Sequence, residues 1–355
     1  MSSLCTFSTC DLATSPWGHR PSTSAAAVFV TVSAISLLIN AAYAARSPQK
    51  HVLFAIFMSL VCVLEIAGWA DRAVGWSDPW AVYPFTQSKA LLTIAPVFIT
   101  SSVYVCLSPM IQVLGAEHSL LAPHLYTLIL LPLDFLSLLL QITGLALGLR
   151  NAPSIVTKST TWVPDDAGAK VVTAGLSLHL ATLCAASLLL ASVLFRSAAA
   201  YRRYGYTTFH RDVGYVALPA RFRIFAAAVP SALVVMFGRL VFRIAEYAGG
   251  FRSPLALGTN AGGEGLFVGL DGFLVAYAVA ALVAAHPAQF LRDGKAGTAS
   301  REAEPFVPGA GGAGNGSGTS DGLLMGEHRA HLEELSKVYQ AHHEEEARLS
   351  RFERV

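Results

Sequence analysis

Two arginines and a glutamate stand inside a stretch otherwise suited to a bilayer. Arg239, Arg243 and Glu246 lie at i, i+4 and i+7 within the apolar run 222–248, so on a helix they share one face. An unpaired charge facing lipid costs about 2.5–3.5 kcal/mol on insertion scales. That face must therefore point into protein or a wet cavity. There a guanidinium holds a carboxylate, and a carboxylate takes a proton or a cationic head group. Arg243 and Glu246 are three residues apart and within reach of each other.

The partners must come from other helices. Glu65, Gly68 and Arg72 fall at i, i+3 and i+7; Asp134, Ser137, Gln141 and Gly144 make a polar stripe at i, i+3, i+7 and i+10, with leucines around it. His179 stands in mid-run four residues after Gly175, and Asp271 follows a Gly265-x-x-x-Gly269 pair that permits close helix contact. Pro96 removes a backbone hydrogen bond and is expected to kink its helix, with Tyr104 further along. The acids Glu65, Asp134, Glu246 and Asp271 nearly balance Arg239 and Arg243, with Arg72 near a helix end. This predicts pairing between helices. Taken singly, each ion pair also fits a role in helix register alone. Likewise His179 fits an interior hydrogen-bonded residue, Tyr104 a packing residue, and the glycine pair packing alone.

The elements that carry these residues follow from composition. Of 355 residues, 54% are hydrophobic and 14% charged, where a soluble domain carries about 25% charged residues. A water-soluble globule is excluded. The expectation is an all-α, polytopic bundle of seven transmembrane helices over the runs 24–45, 51–69, 89–114, 122–149, 169–195, 222–248 and 265–286. Arginines and lysines set the orientation. Eleven lie on one side: six in 196–223, then Arg46 and Lys50, then Arg292, Lys295 and Arg301; seven lie on the other. This places the N-terminus outside and the C-terminus in the cytosol. Glu65, Gln141, Arg239, Arg243, Glu246 and Asp271 then share the outer half, as one polar cluster. Trp17, Trp76, Trp80, Tyr83 and Trp162 fall at the outer interface.

Four regions result: an extracellular segment 1–23, a membrane domain 24–287, a flexible glycine-rich linker 288–322 and a charged tail 323–355. The tail reads as solvated or as a marginal amphipathic helix able to meet a cytosolic partner. Residues 1–23 hold no apolar signal core, so the first helix directs insertion. Cys5 and Cys10 can pair in an oxidising compartment, whereas Cys62, Cys106 and Cys184 read as small core residues. The net charge of +2 argues against a nucleic-acid partner. No Cys/His spacing resembles a zinc site, no cofactor is implied, and no Gly-x-Ser-x-Gly, Walker or His-Glu-x-x-His motif occurs. An enzyme is disfavoured.

Together the motifs resemble the fungal lipid-translocating exporters, the RTA-like proteins associated with resistance to an aminocholesterol. The resemblance spans 24–287. It rests on Glu65-x-x-Gly68-aromatic-x-x-Arg72, Ala95-Pro96-x-Phe98 with Tyr104, Asp134-x-x-Ser137-x-x-x-Gln141-x-x-Gly144, and Arg239-x-x-Phe242-Arg243-x-x-Glu246-Tyr247, then Glu264, Asp271 and His286-Pro287. The chain departs from the family at His179, where glutamine is usual, and at Ser108-Pro109, where an arginine is usual. The resemblance implies release or translocation of sphingoid long-chain bases and resistance to toxic amphiphiles. Its partners would be membrane lipids or amphiphilic small molecules. The end Phe352-Glu-Arg-Val355 matches no retention signal, so the plasma membrane is the expected site, with vacuolar or endosomal membranes as alternatives. In that role an acid among Glu65, Asp134, Glu246 and Asp271 receives an ammonium, while Arg239 and Arg243 orient the carboxylates. The alternative is a seven-helix lipid sensor without transport.

Overall fold

The computed structural model describes residues 5–46, 51–150, 164–205, 207–210, 214–216, 218, 220–253, 255 and 263–290. Trp162, most of the expected linker and the charged tail lie outside the described residues.

Seven helices are long and apolar enough to cross a membrane, and the protein is an integral multi-pass membrane protein. They are α1 (Thr23–Arg46), α2 (Val52–Ser77), α3 (Val82–Leu114), α4 (Pro123–Leu149), α5 (Asp166–Tyr204) and α6 (Ala220–Ala248), followed by α7. The last begins as Gly263–Phe267, loosens into a π-helical turn at Val268–Phe273 and continues as Leu274–Ala284. A short antiparallel hairpin, β1 (Thr208–His210) with β2 (Gly214–Val216), lies in the basic loop between α5 and α6, pairing Phe209 with Tyr215.

Local signals set several ends. Pro123 opens α4 at its first turn, where a missing N–H costs nothing. Asp165 caps α5 by accepting from the Ala167 amide at 2.9 Å. Gly205, at φ 78°, closes α5 in the left-handed conformation that glycine adopts freely. Two helices run past their apolar runs: α2 reaches Ser77, eight residues beyond Trp69, and α3 starts at Val82, ahead of Lys89. The α2 extension carries Arg72, and the α3 extension puts Lys89 two turns inside its helix; both belong to the site described below.

Neighbours in sequence pack side by side, and α7 returns to α1 and α6. α3 occupies the middle: 72% of its apolar window is buried, against 28–44% for the other six. It also touches α5, α6 and α7, so any residue on α3 can meet partners from most of the bundle. Gly68 and Gly144 stand at close approaches between helices. A Cβ on Gly68 would lie 2.6 Å from Leu92 Cδ2, and one on Gly144 would lie 2.8 Å from the Gly168 carbonyl oxygen.

The Gly265/Gly269 pair departs from expectation. A Cβ on either would meet nothing within 4 Å. Gly272 makes the close contact instead, against Phe29 of α1 and Trp69 of α2. The π turn changes the phase of the helix, so a four-residue spacing read at α-helical pitch selects the wrong face. Trp17 and Trp80 are likewise buried within the protein, Trp17 edge-on to Phe85 at 5.2 Å. Cys5 and Cys10 form the disulfide their spacing permits.

Candidate functional site

The charged face of α6 is fully buried. Arg239 Nε lies 2.8 Å from Asp271 Oδ1 of α7, and Arg243 Nε lies 3.5 Å from the same oxygen. Arg243 Nη1 donates to Glu246 Oε2 at 2.6 Å, the i, i+3 contact legible in the sequence. The other oxygen of Glu246 accepts from the ammonium of Lys89 on α3. Arg243 Nη2 donates to the hydroxyl of Thr93, which in turn lies 2.8 Å from the Tyr247 hydroxyl. Asp271 sits in the π turn, whose wider backbone supports a side chain aimed at two guanidiniums of one neighbour.

Pro96 plays a part in this site. Lacking an N–H, it cannot bond the carbonyl of Leu92 four residues before it. Arg239 Nη2 donates to that oxygen at 2.6 Å. Here the helix-breaking residue provides an acceptor, and a residue of another helix fills it. Pro96 does not end α3, which continues to Leu114.

At the end of the bundle covered by the N-terminal segment the network widens. Arg72 pairs with Glu264 at the head of α7. Glu264 also accepts from the Ser22 amide at 3.0 Å, and His19 Nε2 lies 3.7 Å from it. The Arg72 guanidinium lies 4.4 Å from the Phe267 ring centre, 5.1 Å from Trp17 and 5.3 Å from Trp69. The same Phe267 ring lies 5.8 Å from Lys89 Nζ and 5.6 Å from the Arg243 guanidinium. One aromatic face thus stands among three cations, each favoured by its quadrupole. Glu65 is buried here too and interacts electrostatically with Asp271, Arg239 and Arg243. Its Oε2 accepts from Trp69 Nε1 at 3.0 Å, whereas its Oε1 has no hydrogen-bond partner.

Counted together, the network holds four acids (Glu65, Glu246, Glu264, Asp271) and four bases (Arg72, Lys89, Arg239, Arg243). Pairing of acids with bases from other helices lets most of these ionisable groups stay buried.

Asp134, Gln141 and His179 do not join it. Asp134 Oδ2 accepts from Thr100 at 2.6 Å and its Oδ1 from Thr182 at 2.7 Å. His179 Nε2 lies 2.9 Å from the same Thr100 hydroxyl and 3.7 Å from Asp134 Oδ2, leaving Nδ1 without a partner. Tyr104 is buried beside this second cluster and interacts electrostatically with Asp134. Gln141 donates to Ser137 at 3.0 Å, one turn back along its own helix. The stripe on α4 packs against α5 and, at Asp134, also meets α3, so Asp134 finds threonines and a histidine where the sequence allowed an arginine.

Sequence reasoning missed Lys89, Thr93 and Thr100, and took Glu264 only as a motif residue. A signal was present. Lys89, Thr93, Pro96 and Thr100 fall at i, i+4, i+7 and i+11, a stripe of the kind noticed on α4. Among the described residues no group of three or more His, Cys, Asp or Glu is placed to hold a metal.

Comparison with known proteins adds an independent line. A family model described as RTA1 like protein matches residues 58–294. The sphingoid long-chain base transporter RSB1 of Saccharomyces cerevisiae strain JAY291 is 27% identical over 282 residues, covering 73% of this chain and 68% of the relative. RSB1 of strain Lalvin EC1118 matches with the same identity and coverage. No solved structure matches.

Proposed function

The chain belongs to the RTA1-like family, and on that premise we propose that it moves single-chain amphiphiles with a cationic amine head across its membrane. The class is that of the sphingoid long-chain bases, which a relative's name attaches to RSB1. By the same route it would lower the toxicity of sterol-like amines. We place it at the plasma membrane, acting without a cofactor and without covalent chemistry.

The observation that carries this reading is the gathering of Glu65, Glu246 and Asp271 inside the bundle, with Glu246 and Asp271 each paired to a base on another helix. Intramembrane ionisable groups line pathways and sites far more often than they occur at random. A carboxylate beside an incoming ammonium removes much of the cost of taking that charge out of water. The guanidiniums of Arg239 and Arg243 hold the Glu246 and Asp271 carboxylates in place, and need not touch a cationic substrate.

The test is a reconstituted one. Purified protein in liposomes is loaded with labelled sphinganine, and exchange between leaflets is followed by back-extraction. Faster exchange than in empty liposomes is expected, and exchange no faster overturns the proposal. Binding without exchange identifies a lipid sensor instead. Glu65→Gln is the informative variant, since Glu246→Gln strips a partner from Lys89 and Arg243 at once. A Glu65→Gln protein that melts as the wild type but exchanges more slowly supports a role in transport; one with unchanged exchange assigns Glu65 to structure.

A further inference from the structure

We infer that the Glu246 carboxylate is a seat for a primary ammonium, filled in this structure by the protein's own Lys89, and that a substrate amine and Lys89 take turns in it. The inference rests on the proposed function for its substrate class, a single-chain amphiphile with a cationic amine.

Four bases share the network, and they are not equivalent. Arg239 is fixed by Asp271 and by the Leu92 carbonyl. Arg243 is fixed by Glu246, Thr93 and Asp271. Arg72 is fixed by Glu264 and by three surrounding rings. Each is a planar fork with several directed contacts, the geometry in which arginine loses least entropy. Lys89 is different. Its ammonium is a point charge on a flexible stem, hydrogen-bonded to Glu246 alone among the described residues. The rings of Phe85 and Phe267 lie 6.0 and 5.8 Å from Nζ.

Position also singles it out. Lys89 lies seven residues after the start of α3 at Val82, about 10 Å along the helix axis. A lysine at that depth can swing its head towards the interface while its methylenes stay on apolar surface. The guanidiniums, tied at both ends, cannot.

Charge counting says what happens next. With Lys89 withdrawn, the network loses one positive charge and Glu246 Oε1 loses its donor. A long-chain amine supplies the same –NH3+ on an apolar chain, so exchange keeps the buried charge constant. Glu65 Oε1, buried and without a hydrogen-bond partner, gives the network a spare acceptor during the exchange. No covalent step is involved.

The experiment is chemical rescue of the full-length protein, purified at neutral pH. Lys89→Ala removes the tethered ammonium, and n-butylamine is the probe. n-Butanol, of similar shape and no charge, is the control. Lys89→Ala is expected to melt below the wild type, and butylamine to raise its melting temperature saturably where butanol does not. The wild type, its seat filled, is expected not to respond. If Lys89→Ala does not fold alone, the same comparison is read as folded yield with butylamine against butanol. An equal effect of the two additives, or an equal response of the wild type, overturns the inference.

A second readout addresses the exchange itself. Lys89→Ala should bind fluorescent sphinganine about tenfold more tightly than the wild type, because no tethered competitor remains. Equal or weaker binding means that Lys89 does not compete for the seat, and overturns the inference. Leaflet exchange by the wild type is measured separately. Failed rescue with exchange intact removes the seat and leaves the function. Successful rescue without exchange establishes the seat as an amine-binding site and removes the transport reading.

Discussion

The guanidinium of Arg239 donates to the carbonyl oxygen of Leu92 at 2.6 Å, and that oxygen is free because Pro96 has no N–H to offer it. A side chain from α6 thereby replaces a missing rung in the backbone of α3. The bond joins two helices and satisfies a polar group that lipid could not.

A non-additive pair of substitutions follows. Arg239→Lys keeps the charge but cannot serve both Asp271 and Leu92, and should cost about 1–3 kcal/mol for the acceptor left unpaired. Adding Pro96→Ala returns an N–H to the Leu92 carbonyl and should recover part of that loss. Thermal unfolding of the two single variants and the double variant measures the coupling. A double variant whose loss equals the sum of the singles would show that the proline and the arginine act independently.

The Asp134 cluster predicts stability effects that depend on hydroxyls. Thr182→Val leaves Asp134 Oδ1 without its 2.7 Å donor; the cost expected for a buried, unsatisfied acceptor is about 1–3 kcal/mol. His179→Gln retains a group able to meet the Thr100 hydroxyl and should be milder than His179→Leu. Melting curves in one detergent rank the three, and equal losses for Gln and Leu would count against the Thr100 contact.

Two glycines of α7 should behave oppositely. A Cβ at Gly272 would lie 2.6 Å from Phe29 Cε2 and 2.7 Å from Trp69 Cζ2, so Gly272→Ala should destabilise by about 1–3 kcal/mol through overpacking. Gly265→Ala meets nothing within 4 Å and should leave the melting temperature unchanged or slightly raised. If both substitutions are silent, α7 does not pack on α1 and α2 as described.

His286, beyond the end of α7, gives the protein a pH-dependent element. It is buried between Tyr43 and Phe54, with ring centres 4.8 and 4.9 Å away. Burial and the nearby charge of His51 push its pKa down to about 4. The folded state therefore favours neutral imidazole. Its contribution to stability is complete above the ordinary value of 6.5 and is lost as pH falls from there towards 4. Melting temperature measured across that window should drop more in the wild type than in His286→Gln, which has no proton to gain. Parallel curves would remove His286 as the source.

How much of this was legible depends on the number of helices a feature involves. The face of Arg239, Arg243 and Glu246 and the stripe on α4 were readable, because periodicity within one helix places residues without reference to any other. Seven segments were readable for the same reason. Which acid met which base was not. Asp134 and Asp271 have the same charge and both lie in apolar runs, and only the packing of α4 on α3 and α5 sends Asp134 to threonines. Lys89 and Glu264 were passed over because each stands at the edge of an apolar run, where a charge reads as a flank. The helix ends continue beyond those edges, and inside the bundle a flank becomes a partner.

The π turn at Val268–Phe273 makes the length of α7 matter more than its composition. That turn holds one residue more than an α-helix needs. Deleting any single residue there would let the backbone close into a regular α-helix with its two halves still in register, and would remove the wide turn that presents Asp271 and Gly272. Asp271 or the Gly272 contact would then leave its place, and Arg239 and Arg243 would stay buried in the bundle without their shared carboxylate. Exchanges among apolar side chains in the same six positions carry no such consequence. Apart from Asp271 and Gly272, the segment should therefore tolerate exchange of its apolar side chains, and should tolerate the loss of one residue poorly.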